Sequence, residues 1–175
     1  MKRILILALT LAPTAAFAHP GHGADLVSGL NHPFLGADHL LAMTGVGLWA
    51  AQQQGRARIA LPLAFLIAMA AGFALTLPAF EPVVLASVIL LGAAITLALR
   101  APLHATLPVI TVFGLAHGAA HGAAGNGPAF ALGAIIATAA LHAFGATLGV
   151  TLNRTALRST GALTLVAGLS LAMAS

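Results

Sequence analysis

Residues 129–150 read AFALGAIIATAALHAFGATLGV, a run with no charged residue and one imidazole, His142. About 20 apolar residues in a helix cross the roughly 30 Å of bilayer hydrocarbon, so this stretch is long enough to span a membrane. Five further apolar runs, separated by Pro, Gly and charge, lie at 34–52, 58–77, 83–99, 104–123 and 158–174. The expected fold is therefore all-α, a polytopic membrane bundle of six transmembrane helices. The runs at 83–99 and 158–174 are short, which predicts local bilayer thinning or little tilt. Pro33, Pro78, Pro82, Pro102 and Pro128 fall at the ends of the runs, where a missing N–H costs little.

Composition agrees. The chain has 175 residues, of which 60% are hydrophobic and 6% charged, against roughly 25% charged in a soluble domain. Such a chain cannot keep a polar surface in water, and its partner is the lipid bilayer. The formal net charge of +4 is not gathered into a basic run or an aromatic-basic patch, which leaves nucleic-acid binding without support. There is no cysteine, so disulfides, thiolate metal sites and Cys nucleophiles are excluded. Any metal site must be built from imidazole, carboxylate, thioether or backbone groups. Eight histidines stand against three acidic residues, an unusual ratio for so apolar a chain.

The N-terminus has the pattern of a secretory signal: Lys2 and Arg3, a short apolar stretch from Ile4 to Ala12, and Ala16-Phe17-Ala18 as a cleavage site. Residues 1–18 are thus expected to be removed as a signal peptide, an uncleaved first helix being the alternative. Residues 19–175 are expected to form a single six-helix membrane domain, with 19–32 as a periplasmic N-terminal segment. With that end outside, the loops at 53–57, 100–103 and 151–157 are cytoplasmic. Arg56, Arg58, Arg100, Arg154 and Arg158 all lie at these loops, and Glu81 lies on the other side. The positive-inside rule is satisfied without exception, and the expected location is a bacterial inner membrane.

The histidines form two clusters. His32-Pro33-Phe34-Leu35-Gly36-Ala37-Asp38-His39 opens the first span. His32 and His39 are two helical turns apart and share a face if both are helical, and Pro33 places His32 just before the helix. Asp38 is an intramembrane carboxylate, which is costly and by default a functional group. Met43 lies one turn below His39, where a packing role outweighs a thioether ligand. The second cluster is His117-Gly118-Ala119-Ala120-His121, a pair at i and i+4 on one helix face. Gly114, Gly118 and Gly122, like Gly145 and Gly149, recur every four residues and allow close helix approach. Beside the histidine pair they leave room for a neighbouring helix to bring further ligands.

Depth links the clusters. At about 1.5 Å per residue, His39 lies roughly 9 Å below the outer surface, His117 roughly 10 Å and His121 roughly 4–5 Å. Asp38, His39, His117 and His121, with His32 at the mouth, are therefore the candidate metal ligands. His19 and His22 stand at the entrance. His142, deeper, and His104, near the inner surface with its carbonyl freed by Pro108, extend this order into a ladder. For these two, a packed or interfacial imidazole bonded to neighbouring backbone is the preferred reading.

At these motifs the sequence resembles the HupE/UreJ family, the hydrogenase- and urease-associated nickel permeases. The resemblance rests on the His-Pro start after the signal, on His32, Asp38 and His39 in the first span, and on His117, Gly118, Ala120, His121 and Gly122 in the fourth. Ala116 and Ala124 stand where the family often has Phe and Glu, and the second change removes a charged ligand or entrance attractor. The resemblance implies uptake of Ni²⁺, or of Co²⁺, for a nickel enzyme such as hydrogenase or urease. The residues alone argue for a divalent transition metal, Zn²⁺ and copper included. No GxxxxGK[ST] motif is present, so transport must draw on a gradient or a partner. The rivals are a membrane-embedded zinc hydrolase and a metal-binding accessory or sensor. The hydrolase lacks a second carboxylate as general base, a GxSxG elbow, and serines flanking the histidines in sequence, so no enzyme is expected.

Overall fold

The computed structural model describes residues 24–75 and 77–175. The expected signal peptide, residues 1–18, and the entrance histidines His19 and His22 lie outside the described residues. Among the described residues the regular structure is entirely helical: α1 (Leu26–Leu35), α2 (Ala37–Gln52), α3 (Ala57–Ala74), α4 (Glu81–Thr96), α5 (Leu103–Ala124), α6 (Pro128–Thr151) and α7 (Arg154–Ala174). Helices α3, α5, α6 and α7 are long and apolar enough to cross a membrane. Helix α4 is apolar but has 16 residues.

The first run is not one helix. Helices α1 and α2 meet at 87°, because Gly36 is extended at φ −101°, ψ 122° and interrupts the ladder. Pro33 lies inside α1, so His32 belongs to the last turn of that helix and does not precede a span. The last run is not short. Helix α7 starts at Arg154 because Asn153 caps it, its side chain accepting the Ala156 N–H at 2.9 Å. Helix α1 is capped in the same way by Asp25, which accepts the Ser28 N–H at 2.7 Å.

The helices pack mainly as α3 on α5, α2 on α6, α4 on α7 and α1 on α6. Glycine backbones make these approaches. A Cβ on Gly118 would collide with the Met69 carbonyl, and one on Gly114 would lie 2.5 Å from the Phe65 carbonyl. Gly145 lies against the Thr44 carbonyl, Gly47 against that of His142, and Gly92 against Leu165. Small residues at such contacts let backbones meet where lipid supplies no hydrophobic drive. The paired numbers also give direction. Phe65 and Met69 match Gly114 and Gly118 in rising order, and Thr44 and Leu48 match Gly145 and Gly149, so α3 runs parallel to α5 and α2 to α6. Gly92 meets Leu165 while Gly161 meets Thr96, so α4 and α7 are antiparallel.

One end of the bundle is closed on the C-terminus of α4. Carbonyls at its end and in the segment just after it accept from side chains of neighbouring helices. Trp49 Nε1 donates to Leu99 O at 2.9 Å, Gln53 Nε2 to Leu99 O at 3.0 Å, and Gln52 Nε2 to Ile95 O at 3.2 Å. Arg158 Nε donates to Thr96 O at 2.8 Å, a cation at the negative end of a helix dipole. The arginine-bearing loops gather here. The outer faces carry exposed apolar side chains such as Ile59, Ile67, Val150 and Val166, which suit lipid rather than water.

Candidate metal centre

Helix α5 sets the fixed half of the site. An unbroken helix puts His117 and His121 on one face, and both are fully buried. The other half comes from the joint. Asp38 and His39 lie in the first turn of α2, and His32 in the last turn of α1. The 87° turn at Gly36 swings His32 over the start of α2, so its ring centroid lies 5.7 Å from that of His39. Helical periodicity was expected to unite these two residues, but the break does it instead.

The two halves meet. The His121 ring is 4.9 Å from His32 and 4.8 Å from His39, and His117 is 4.9 Å from His39. One ring nitrogen from each of His32, His39 and His121 lies within 4.8 Å of the other two. Nitrogens on one transition-metal ion sit roughly 3–4 Å apart, given metal–N bonds near 2.0–2.1 Å, so small ring rotations close the difference. His117 lies beyond His39, one step further in. Asp38 touches His39. Its Oδ1 accepts the His39 N–H at 2.8 Å and stands 3.0 Å from His39 Nδ1, off the line of a ring hydrogen bond. Gly36 makes room for this contact, since a Cβ there would lie 2.7 Å from Asp38 Oδ1 and 3.3 Å from His39 Nδ1.

Both ring nitrogens of His39 and His121, and Nδ1 of His117, are buried with no hydrogen-bond partner among the described residues. Each orphaned group of this kind costs roughly 1–3 kcal/mol. Their concentration at one point is what a set of ligand lone pairs requires.

Ser87 was missed in the sequence. Its hydroxyl donates to Val84 O at 2.6 Å and lies 3.0 Å from His117 Nε2. The hydroxyl has one proton, so with that proton on Val84 it accepts from an Nε2–H. This selects the His117 tautomer whose lone pair is on Nδ1. A serine thus does neighbour a histidine, thirty residues away in sequence, where no local motif would reveal it. With its proton on Val84, it holds the His117 ring from the side of Nε2.

The helix seated against Gly118 is α3, which brings Met69 and Phe65 but no imidazole or carboxylate. His104 is exposed on the first turn of α5 and does not continue the ladder. His142 is buried, yet neither ring nitrogen has the backbone partner expected for it. Phe130 packs on His32 at 5.6 Å and closes the rim.

Fold and site together define an α-helical membrane protein that buries an imidazole cluster at the end of the bundle away from its arginines. The chain belongs to the HupE/UreJ family, matching the description "HupE / UreJ protein" over residues 7–171. It is similar to the Protein HupE of Rhizobium leguminosarum bv. viciae, 37% identical over 149 residues, which is 79% of this chain and 78% of that protein. No solved structure matches it significantly.

Proposed function

We propose that the protein is a secondary transporter, a permease for nickel or another divalent transition metal, that supplies a nickel enzyme such as hydrogenase or urease. The observation that carries this reading is the approach of His32, His39 and His121 to within 4.8 Å at their ligand atoms. Nickel is the cargo implied by the resemblance to the hydrogenase- and urease-associated permeases. The imidazole set by itself also suits Co²⁺ or Zn²⁺. In this reading the hydrated ion exchanges water for His32, His39, His121 and then His117, while Asp38 offsets its charge and orients His39. One carboxylate among several neutral imidazoles gives reversible binding, which a carrier needs.

The topology belongs to the same proposal. Six crossings, with α1 and α2 forming the first, place α2, α4 and α6 in one direction and α3, α5 and α7 in the other. The parallel pairing of α2 with α6 and α3 with α5, and the antiparallel pairing of α4 with α7, support that alternation. The arginine loops are then cytoplasmic, the histidine end and the mature N-terminus periplasmic after cleavage of residues 1–18, and the membrane a bacterial inner membrane.

Ni²⁺ uptake into sealed vesicles tests the proposal. The wild-type chain accumulates the ion, and His117→Ala and Asp38→Ala fold but lose accumulation. Accumulation at the wild-type level in both variants contradicts the mechanism.

A further inference from the structure

Beneath the outer cluster the bundle holds one more imidazole that the site does not use. His142 on α6 is 3% exposed, and both its ring nitrogens are buried without a hydrogen-bond partner among the described residues. A packed structural histidine normally satisfies at least one of them. One side chain touches both this imidazole and the outer cluster. The Phe65 ring lies 5.3 Å from His117 on one side and 5.1 Å from His142 on the other.

The surroundings are uncharged. One helical turn outward on the same face of α6, the Thr138 hydroxyl is fully buried, donates to Met43 Sδ at 3.1 Å and lies 3.6 Å from Met69 Sδ. Thioether sulfur is a weak acceptor, so this hydroxyl too is poorly satisfied. The acidic residues Asp25, Asp38 and Glu81 lie at or before the first turns of α1, α2 and α4, all outward of this layer.

We infer that His142 is a second, inner metal station, taking the divalent ion from His117 past the Phe65 ring. The inference rests on the transport reading for its role, but not for the existence of the site. A lone imidazole, with neutral oxygen and sulfur groups a helical turn away, binds more weakly than the outer group of several imidazoles. That gradient suits release inward, since conduction through a series of sites needs each one weak enough to leave. Movement of the Phe65 side chain is the gate between the two stations.

The absence of cysteine from the chain allows a direct test with Co²⁺ on the full-length protein in detergent. In His142→Cys, a thiolate-to-cobalt charge-transfer band reports an ion at this position and nowhere else. The band is expected to rise after the outer site has filled, and the wild-type chain is expected to bind Co²⁺ in two steps. A second variant, His142→Gln, is expected to keep the outer step within about twofold and to lose about tenfold or more of vesicle uptake, as removal of one site in a series should. A merely structural histidine would instead shift the outer step as well. One wild-type binding step without a thiolate band, or uptake by His142→Gln within about twofold of wild type, overturns the inference. If the band appears but the wild-type chain takes up no metal, the inner site stands and the transport reading falls.

Discussion

On α5, His117 and His121 are four residues apart in one unbroken helix, and both are fully buried. Across Gly36, His32 and His39 are seven apart on two helices that meet at 87°, and His32 is only half-buried. The first pair is held by the backbone ladder and by the seating of Gly114 and Gly118 on α3. The second pair depends on one extended residue and on the packing of α1 against α6. A cluster built from one rigid arm and one jointed arm has unequal members. Ligands on the rigid arm are held in place before the ion arrives, whereas those on the joint must be ordered as it binds.

Removing His121, the α5 ring that touches both imidazoles of the jointed arm, should have the largest effect. His121→Ala is expected to weaken Ni²⁺ binding on the order of 100-fold, about 2.7 kcal/mol, and His32→Ala about 10-fold. Titration of the purified variants checks the order. If His32→Ala costs more than His121→Ala, the jointed arm rather than α5 carries the affinity.

The rigidity of α5 can be attacked without touching a ligand. Gly118→Val puts a branched side chain where the Met69 carbonyl already sits, and such overpacking costs about 2 kcal/mol. Thermal unfolding in detergent should show this loss. Metal affinity should fall with it, because α3 and α5 can no longer close at the level of His117. Unchanged stability would mean that the α3–α5 seam is loose enough to absorb a side chain.

The two arms also differed in how far they could be read from the sequence. The i,i+4 spacing of His117 and His121 is a local pattern, and a helix converts it directly into a shared face. Hydropathy and the arginine positions then placed it near the depth of His39, and the rings are in fact adjacent. The joint is not legible in the same way, because Pro33 has the signature of a helix start, whereas the interruption is three residues later at Gly36, where nothing but space for Asp38 and His39 requires a glycine. Ser87 left no trace at all, since its partner comes from another helix. His142 was visible, but whether its nitrogens find partners depends on neighbours that no spacing rule supplies.

The smallest expected effect is also the sharpest test of the joint. Gly36 has a negative φ that any residue adopts, so Gly36→Ala carries no backbone strain. Its added Cβ would press on Asp38 Oδ1 and His39 Nδ1. Alanine also favours continuation of the helix by roughly 1 kcal/mol over glycine, which works against the 87° turn that brings His32 back. Both effects act on the ligands and neither on the core. Stability should therefore hold or rise slightly, while Ni²⁺ affinity drops about fivefold, or ~1 kcal/mol. Affinity should fall with no loss of stability, which no general loosening of the bundle would produce. If affinity and stability fall together, Gly36 is a packing residue and the site does not depend on the turn. If affinity is unchanged, His32 and His39 reach the ion without the geometry described for them.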